Sequence, residues 1–323
     1  MQASGAHSLR GTMKILVAYD GSEFADAALA DLKLAGLDAD AEVMVMVVAD
    51  VFVPPPINEE VDNTFPLYVP DGIKRAHERA RRKLGQAAAL AKRTSEQIKL
   101  MFPKWNVGCQ AEADSPAWAI LRKTDDWQPD LVVMGARGQS VFGGRLILGS
   151  ISQRVLYEAR CSVRIGRRLD RNPSKPVRLL IGVDGSADSN AAVEAVCNRS
   201  WPRGTEAGLV AVVDTVMPIA SDSSEPAAMK WIEVADESNW NQVREFFEPA
   251  VQRVRSFGLH GEVLIRRGNP ADEILEEALT WGADCVFVGA RGTRGIDRLL
   301  LGSVSSAVSA RAHCSVEVVR PKN

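Results

Sequence analysis

The sequence predicts an α/β fold made of two tandem domains, each with a doubly wound, five-stranded parallel sheet. Short apolar runs alternate with longer segments of helical periodicity, which is typical of a parallel sheet covered by helices on both faces. The pattern occurs twice, since residues 13–22 resemble residues 177–186. A second match joins residues 161–165 to residues 314–318. A chain of 323 residues also suits two domains better than a single core.

The two copies set the predicted domain limits. We assign the first domain to residues 13–166 and the second to residues 177–320. Residues 167–176, which are charged and contain proline, form the predicted linker between them.

Both copies contain the same order of predicted elements. The predicted strands of the first copy are 13–19, 42–49, 105–111, 130–134 and 161–165. Its predicted helices run from Ser22 to about residue 35, from Asp71 to about residue 100, from Ser115 and from Ser150. The second copy has predicted strands at 177–183, 206–213, 260–266, 284–288 and 315–319, and helices near 187–199, 238–257, 270–281 and 303–310. Four tryptophans near helix ends are expected to pack against the sheets: Trp118, Trp127, Trp201 and Trp281.

Composition argues against several classes of partner. The net charge of -2 gives no reason to expect a nucleic acid or an anionic membrane as a partner. No apolar run approaches the roughly 18 residues that a membrane-spanning helix needs, and residues 1–12 lack the apolar core of a signal peptide. The five cysteines form no Cys-x2-Cys pair and are interpreted as reduced thiols. These features predict a cytoplasmic protein.

A glycine-rich loop follows the fourth predicted strand of the second copy. Gly289 and Gly292 allow a tight turn and a close approach of the backbone to a ligand. Gly302 and Ser303 follow after nine intervening residues, and Ser303 is the predicted N-cap of the next helix. A helix N-terminus presents free N–H groups and a positive dipole end, which suit phosphate. The corresponding residues of the first copy are Gly135, Gly138, Gly149 and Ser150.

A carboxylate is predicted to share a crevice with this loop. The first strand of each copy ends at an aspartate, Asp20 or Asp184. If the first and fourth strands are neighbours where the strand order reverses, the aspartate and the glycine loop face one crevice beyond the strand ends. The carboxylate then suits a ribose or an adenine edge as a hydrogen-bond acceptor. For Arg137 and Arg291, which lie between the loop glycines, two interpretations stay open: charge-assisted contacts to phosphate, or solvation.

Several enzyme signatures are absent from the sequence. It contains no Gly-x4-Gly-Lys-Ser/Thr, no Gly-x-Gly-x2-Gly after the first strand of either copy and no Gly-x-Ser-x-Gly. The four histidines show no metal-ligand spacing, so no metal site is predicted. Neither a general base nor a metal-binding pair of carboxylates is evident near the loops, so no catalytic residue is assigned.

These motifs together resemble the universal stress protein family, here as a tandem pair. The resemblance covers residues 13–320 and depends on the Gly-x2-Gly-x9-Gly-Ser loop, the opening strand that ends in Asp-Gly-Ser and the closing Cys-x-Val strand. It implies an adenine-nucleotide alpha hydrolase-like fold with strand order 3-2-1-4-5 in each domain. It also implies that copies with the full glycine pattern bind ATP or a related adenine nucleotide.

The resemblance assigns roles residue by residue, and the second copy is the fuller match. Asp184 corresponds to the acidic position at the nucleoside, and Val213, with Val212 as the alternative, falls near the adenine. The phosphate-binding positions correspond to Gly289, Gly292, Gly302, Ser303 and Val304. In the first copy the same places are Asp20, Val48 or Ala49, Gly135, Gly138, Gly149 and Ser150.

The first copy departs from the pattern because ten residues, not nine, separate Gly138 from Gly149. Either the extra residue is absorbed as a bulge, or it misplaces Ser150. Nucleotide binding is therefore predicted more strongly for the second copy than for the first.

Two function classes follow. The first is an ATP-binding protein of stress response or signalling, with at most slow ATP hydrolysis. In such a protein Asp184 could contact Mg²⁺ held by the phosphates, or it could equally contact the ribose alone. The alternative is an interaction scaffold with vestigial pockets. In the family, domains commonly pair through their last strands, so residues 163–166 and 315–319 are expected to pair within the chain or to lie as edges of separate domains. A homodimer is compatible with either arrangement.

Overall fold

The computed structural model describes residues 12–51, 71–137, 148–167, 175–213, 240–292 and 301–321. The strands are β1 (Met13–Ala18), β2 (Ala41–Ala49), β3 (Asn106–Ala113), β4 (Leu131–Gly135), β5 (Ser162–Gly166), β6 (Arg178–Val183), β7 (Glu206–Val213), β8 (His260–Arg267), β9 (Cys285–Gly289) and β10 (Ser315–Val319). The helices are α1 (Glu23–Asp31), α2 (Asp71–Met101), α3 (Pro116–Trp127), α4 (Ser150–Glu158), α5 (Ala187–Cys197), α6 (Trp240–Ser256), α7 (Pro270–Trp281) and α8 (Ser303–Arg311). Strands and helices alternate in both copies, as the sequence predicts.

All ten of these strands join one sheet, in the order β3-β2-β1-β4-β5-β10-β9-β6-β7-β8. Each half therefore has the predicted order 3-2-1-4-5. Neighbouring strands are parallel within each half, whereas β5 and β10 pair antiparallel. The last strands thus pair with each other, and neither is an edge strand of a separate sheet.

The core lies in apolar layers on both faces of this sheet. Alternate strand residues point to opposite faces, so Leu16 and Leu180 join one cluster while Ile15 and Ile181 belong to others. The cluster containing Leu16 also takes in α3, α4, α7 and α8 and runs across both halves. The opposite face carries one cluster per half, formed with α1 and α2 or with α5 and α6.

The first helix of each half begins at a capped turn. The Ser22 hydroxyl accepts from the Ala25 N–H at 3.2 Å, which satisfies one of the free donors of the first turn. Ser186 makes the equivalent cap in the second half. Helix α1 ends at Asp31, earlier than predicted, and a 3₁₀ turn over Leu32–Leu34 follows it.

A buried ionic cluster ties the two halves together where β5 meets β10. Arg164 binds Asp31 through Nε at 2.6 Å and Glu317 through Nη1 at 3.1 Å, and none of these side chains is more than 2% exposed. Arg199 of the second half binds Glu317 as well, at 2.8 Å. Burial opposes ionisation of Glu317, but the guanidinium groups of Arg199 and Arg164 outweigh it and hold its pKa below the ordinary value.

The depressed pKa of Glu317 predicts an acid-labile contribution to stability. The contribution is complete above about pH 4.5, the ordinary value, and is lost as pH falls through the lower pKa of the folded state. We expect Glu317→Gln to flatten the decline of the free energy of unfolding between pH 5 and pH 3, measured by urea titration. Glu158→Gln, which alters an exposed carboxylate, is the control. An unchanged acid dependence in Glu317→Gln would contradict the assignment.

Two arginines at equivalent positions of the two halves also donate hydrogen bonds to the other half. Arg167 donates to the carbonyls of Cys314 and Ser309, at the end of α8, and Arg320 donates to the Leu156 carbonyl near the end of α4 at 2.7 Å. Burial lowers the pKa of Arg167 to about 10, which leaves it charged at neutral pH. Cations at helix C-termini interact favourably with the helix dipole, so each half stabilises a helix of the other.

Candidate functional site

The carboxyl ends of β6 and β9 meet at the reversal of strand order in the second half. The two strands are neighbours, as are β1 and β4 in the first half, so the predicted adjacency is confirmed. Beyond these ends lies a cavity of about 560 Å³, a size typical of small-molecule sites. All the site residues predicted for the second copy lie on its walls: Asp184, Val213, Gly289, Arg291, Gly292, Gly302, Ser303 and Val304.

Asp184 and Gly292 meet at one wall of the cavity. Asp184 Oδ1 accepts from the Ser186 N–H at 3.0 Å, which fixes the carboxylate in the turn before α5. A Cβ added to Gly292 would lie 2.6 Å from Asp184 Oδ2. A side chain at position 292 would therefore displace the Asp184 carboxylate from the position it holds in the turn.

Gly289, besides lining the cavity, has a packing role that the sequence did not predict. Its backbone φ is not positive, so no tight left-handed turn requires glycine here. A Cβ on Gly289 would instead lie 2.6 Å from the Asp188 carbonyl carbon in the first turn of α5. Gly135 packs in the same way against Phe24 of α1, so these two glycines allow close packing between strand and helix.

Arg291 is held by an acidic partner inside the protein. Its Nε lies 2.9 Å from Asp188 Oδ2 and its Nη2 lies 3.0 Å from Asp188 Oδ1. Its backbone N–H donates to the same carboxylate at 3.1 Å. This ion pair, which the sequence did not predict, anchors the start of the glycine loop to α5. In the first half Phe24 occupies the place of Asp188, and Arg137 lies 5.7 Å above its ring.

The helix N-terminus at the cavity is built differently from the prediction. Gly302 is the N-cap of α8 and Ser303 is its first helical residue, with no side-chain cap. Ser303 therefore presents its backbone N–H in the first turn, where α-helices have no internal acceptor. The Gly302 N–H donates to the Ala290 carbonyl at 2.8 Å, which closes the loop onto the end of β9.

The first half closes its loop with the same geometry. The Gly149 N–H donates to the Ala136 carbonyl at 2.8 Å, and α4 likewise begins at Ser150 with Gly149 as the N-cap. The extra residue of the first copy therefore does not misplace Ser150. Gly138 lies outside the described residues.

The opposite end of the cavity is apolar with a polar rim. Val210 and Val212 of β7 pack on the same face as Ile274 of α7 there, and Val213 lines the cavity at the end of the strand. At the rim, Asp272 and Arg311 form an ion pair of 2.7 Å, both about half exposed. The sequence analysis missed Asn269, which lines the cavity and caps α7 by accepting from the Ala271 N–H at 3.0 Å; Asn before Pro at a strand end was the available signal.

The first half carries bulkier residues at the matching places. Ala18, Met46 and Met134 replace Gly182, Val210 and Val288. A Cβ on Gly182 would lie 3.1 Å from Val288 Cγ1, so glycine keeps that part of the second cavity open.

Trp118 takes the place of Asp272 in the first half, and it corrects one prediction. The guanidinium of Arg154 lies 4.1 Å above its ring, and Trp118 is 53% exposed. Trp118 therefore does not pack against the sheet, because its ring lies on the exposed side of the first turn of α3, against Arg154.

Two other kinds of feature, a metal site and a membrane-spanning helix, are absent from the residues that the structure describes. Among them, no cluster of three or more His, Cys, Asp or Glu side chains is placed to hold a metal ion. Over the same ranges, no helix is both long and apolar enough to cross a membrane.

Comparisons with known proteins relate both halves to one family. The model described as "Universal stress protein family" matches residues 11–167 and 177–320. A universal stress protein from Mycolicibacterium smegmatis is 32% identical over 193 residues, which are 59% of this chain and 62% of that protein. One from Thermus aquaticus is 34% identical over 153 residues, 47% of this chain and 97% of that protein. The alignments thus span about three fifths of the mycobacterial relatives.

A solved structure supports the fold over almost the whole chain. A universal stress protein from Archaeoglobus fulgidus aligns with a TM-score of 0.59 at 22% identity, over 95% of this chain and 98% of that one. At this identity the likeness concerns the fold alone. With the two matches to the family model, it leads to one conclusion: this chain belongs to the universal stress protein family and carries the family's domain twice.

Proposed function

We propose that the second half binds ATP or a related adenine nucleotide, as a binding protein of stress response or signalling in the cytoplasm. The observation that carries this proposal is the composition of one cavity. The same cavity of 560 Å³ is lined by an apolar wall, a fixed carboxylate and a helix N-terminus bordered by glycines. These are the three environments that a base, a ribose and a phosphate chain need.

The apolar end suits the base. In our proposal adenine lies against Val212 and Val213, with Ile274 on the opposite wall. Asp184 then accepts from the ribose hydroxyls, while its Oδ1 also accepts from the Ser186 N–H at 3.0 Å.

The glycine end suits the phosphates. The first-turn N–H groups of α8, from Ser303 and Val304, provide donors and a positive dipole end. Gly292 and Gly302 leave room for phosphate oxygens at the backbone. In our proposal any Mg²⁺ binds together with the triphosphate, and Asp184 is the protein carboxylate that contacts the ion.

The first half is proposed to bind nucleotide weakly or not at all. It retains Asp20, Gly135, Gly149 and Ser150, but we expect the bulkier Met46, Met134 and Trp118 to narrow the matching crevice. In this proposal the first half serves as the partner of the second in an intramolecular pseudo-dimer. A homodimer of whole chains is compatible with that role.

The direct test is mass spectrometry of freshly purified, denatured protein for co-purified nucleotide, followed by calorimetric titration with ATP and ADP. We expect one adenine nucleotide per chain. Two sites per chain would show that the first half binds as well. No binding at millimolar ATP with Mg²⁺ would favour the alternative, an interaction scaffold with vestigial pockets.

A matched pair of variants assigns the site to one half. Asp184→Asn keeps an acceptor for the Ser186 N–H but replaces the second carboxylate oxygen with a donor. We expect it to weaken nucleotide binding roughly 10- to 100-fold, the effect of losing a hydrogen bond to a charged group. Asp20 makes the same turn contact, to Ser22 at 3.0 Å, so Asp20→Asn controls for the turn and should leave the affinity unchanged. Equal losses in both variants would contradict a site in the second half.

A further inference from the structure

The antiparallel ladder between β5 and β10 has two opposite charges at its centre. Arg164 lies directly opposite Glu317, flanked by the pairs Val163–Val318 and Ile165–Val316. Arg164 and Glu317 are both completely buried. The contact across the ladder runs from Arg164 Nη1 to Glu317 Oε2, at 3.1 Å.

Each half also supplies a counter-charge of its own. Asp31 of α1 accepts hydrogen bonds from Arg164 Nε at 2.6 Å and from Arg164 Nη2 at 3.1 Å. Arg199, which follows α5, donates to Glu317 at 2.8 Å. Each half therefore brings one acid and one base to the cluster, and the cross-strand contact is the part that depends on which strand lies opposite.

The repeat shows which charges would meet if two first halves or two second halves paired through their last strands. Residues 161–165 match residues 314–318, so Arg164 and Glu317 occupy the same place in their domains and lie at the centre of the observed register. Two first halves paired in this register would place Arg164 against Arg164. Two second halves would place Glu317 against Glu317. Like charges directly opposite on a ladder are destabilising, and at a buried position neither is screened by water.

We propose that the Arg164–Glu317 pair is a pairing code: each last strand accepts only a last strand of opposite central charge. The sheet is thereby restricted to one first half joined to one second half. This code excludes the pairing of two first halves or of two second halves through these strands, and it leaves the outer strands, β3 and β8, as the only sheet edges among the described strands. The inference does not depend on nucleotide binding.

The test uses the full chain with charge reversals. Arg164→Glu places a third carboxylate in the cluster, and Glu317→Arg places a third guanidinium there. We expect each single variant to unfold at a lower urea concentration than the unaltered chain. The double variant Arg164→Glu/Glu317→Arg restores opposite charges across the ladder, so its midpoint should exceed that of both single variants. A double variant less stable than either single one would overturn the proposal.

Mixing the two single variants tests partner choice. The first half of Arg164→Glu carries two acids and the second half of Glu317→Arg carries two bases, so they complement each other between chains. We expect light scattering after co-refolding to show a complex of twice the chain mass, formed by the mixture and by neither variant alone. A complex of that mass formed by either single variant alone would overturn the proposal.

An exposed ion pair provides the matched control. Arg253 binds Glu194 through Nε at 2.7 Å between two helices, and both side chains are more than 40% exposed. Reversing that pair singly and doubly should leave the midpoints within error of one another, because solvent screens exposed pairs. If the double reversal of Arg253 and Glu194 raised the urea midpoint over the single reversals as much as that of positions 164 and 317, the gain would come from charge reversal in general and not from the buried ladder position.

Discussion

Gly292→Val is expected to abolish nucleotide binding by the second half. The new Cβ would lie 2.6 Å from Asp184 Oδ2, closer than real side chains pack, so the carboxylate must leave its position. The variant would lose both the proposed acceptor for the ribose and the space for a phosphate at the backbone. We expect a loss of affinity of at least about 100-fold, since a hydrogen bond to a charged group contributes roughly 1.5–3 kcal/mol and the collision adds to it.

Calorimetric titration with ATP measures this loss, and Gly85→Val is the matched control. Gly85 lies within α2, and a Cβ there would meet no atom within 4 Å. Both variants replace a glycine by valine, but only one of them places the new side chain against the proposed site. An unchanged affinity in Gly292→Val would rule out the proposed phosphate position.

Arg164→Met is expected to cause the largest loss of stability. The substitution keeps much of the side-chain volume but leaves Asp31 without its guanidinium and Glu317 with Arg199 alone, all buried. Removing one partner from a buried ion pair typically costs about 3–5 kcal/mol, because the remaining charge stays desolvated. Urea unfolding at pH 7 measures the change in the free energy of unfolding.

Arg122→Met is the control for that measurement. Arg122 also bridges two carboxylates, Glu112 at 2.6 Å and Asp114 at 2.8 Å, but its side chain is 52% exposed. Exposed ion pairs contribute roughly 0–1 kcal/mol. If the two variants were equally stable, the buried cluster would not be holding the halves together.

The sequence predicts where the loop glycines gather but not why each of them is a glycine. Local spacing was enough to predict that Gly289, Gly292, Gly302 and Ser303 gather at the end of one strand, because parallel strands end at the same edge of a sheet. The reason for each glycine was different, since steric demand depends on what packs opposite. Gly289 faces α5 and Gly292 faces Asp184, and neither neighbour is close in sequence.

The sequence by itself determined the α/β class, the two copies, the order of the elements and eight of the residues that line the second cavity. The class, the copies and the order of the elements follow from local periodicity, turn chemistry and the repeat, whereas Val213 and Val304 follow from the family resemblance. Only the tertiary structure decided that Gly302 and not Ser303 caps α8, that Asp188 holds Arg291, that Trp118 lies exposed against Arg154, and that Arg164 faces Glu317. These are contacts between residues far apart in the chain, and they depend on packing and register, which no local pattern encodes.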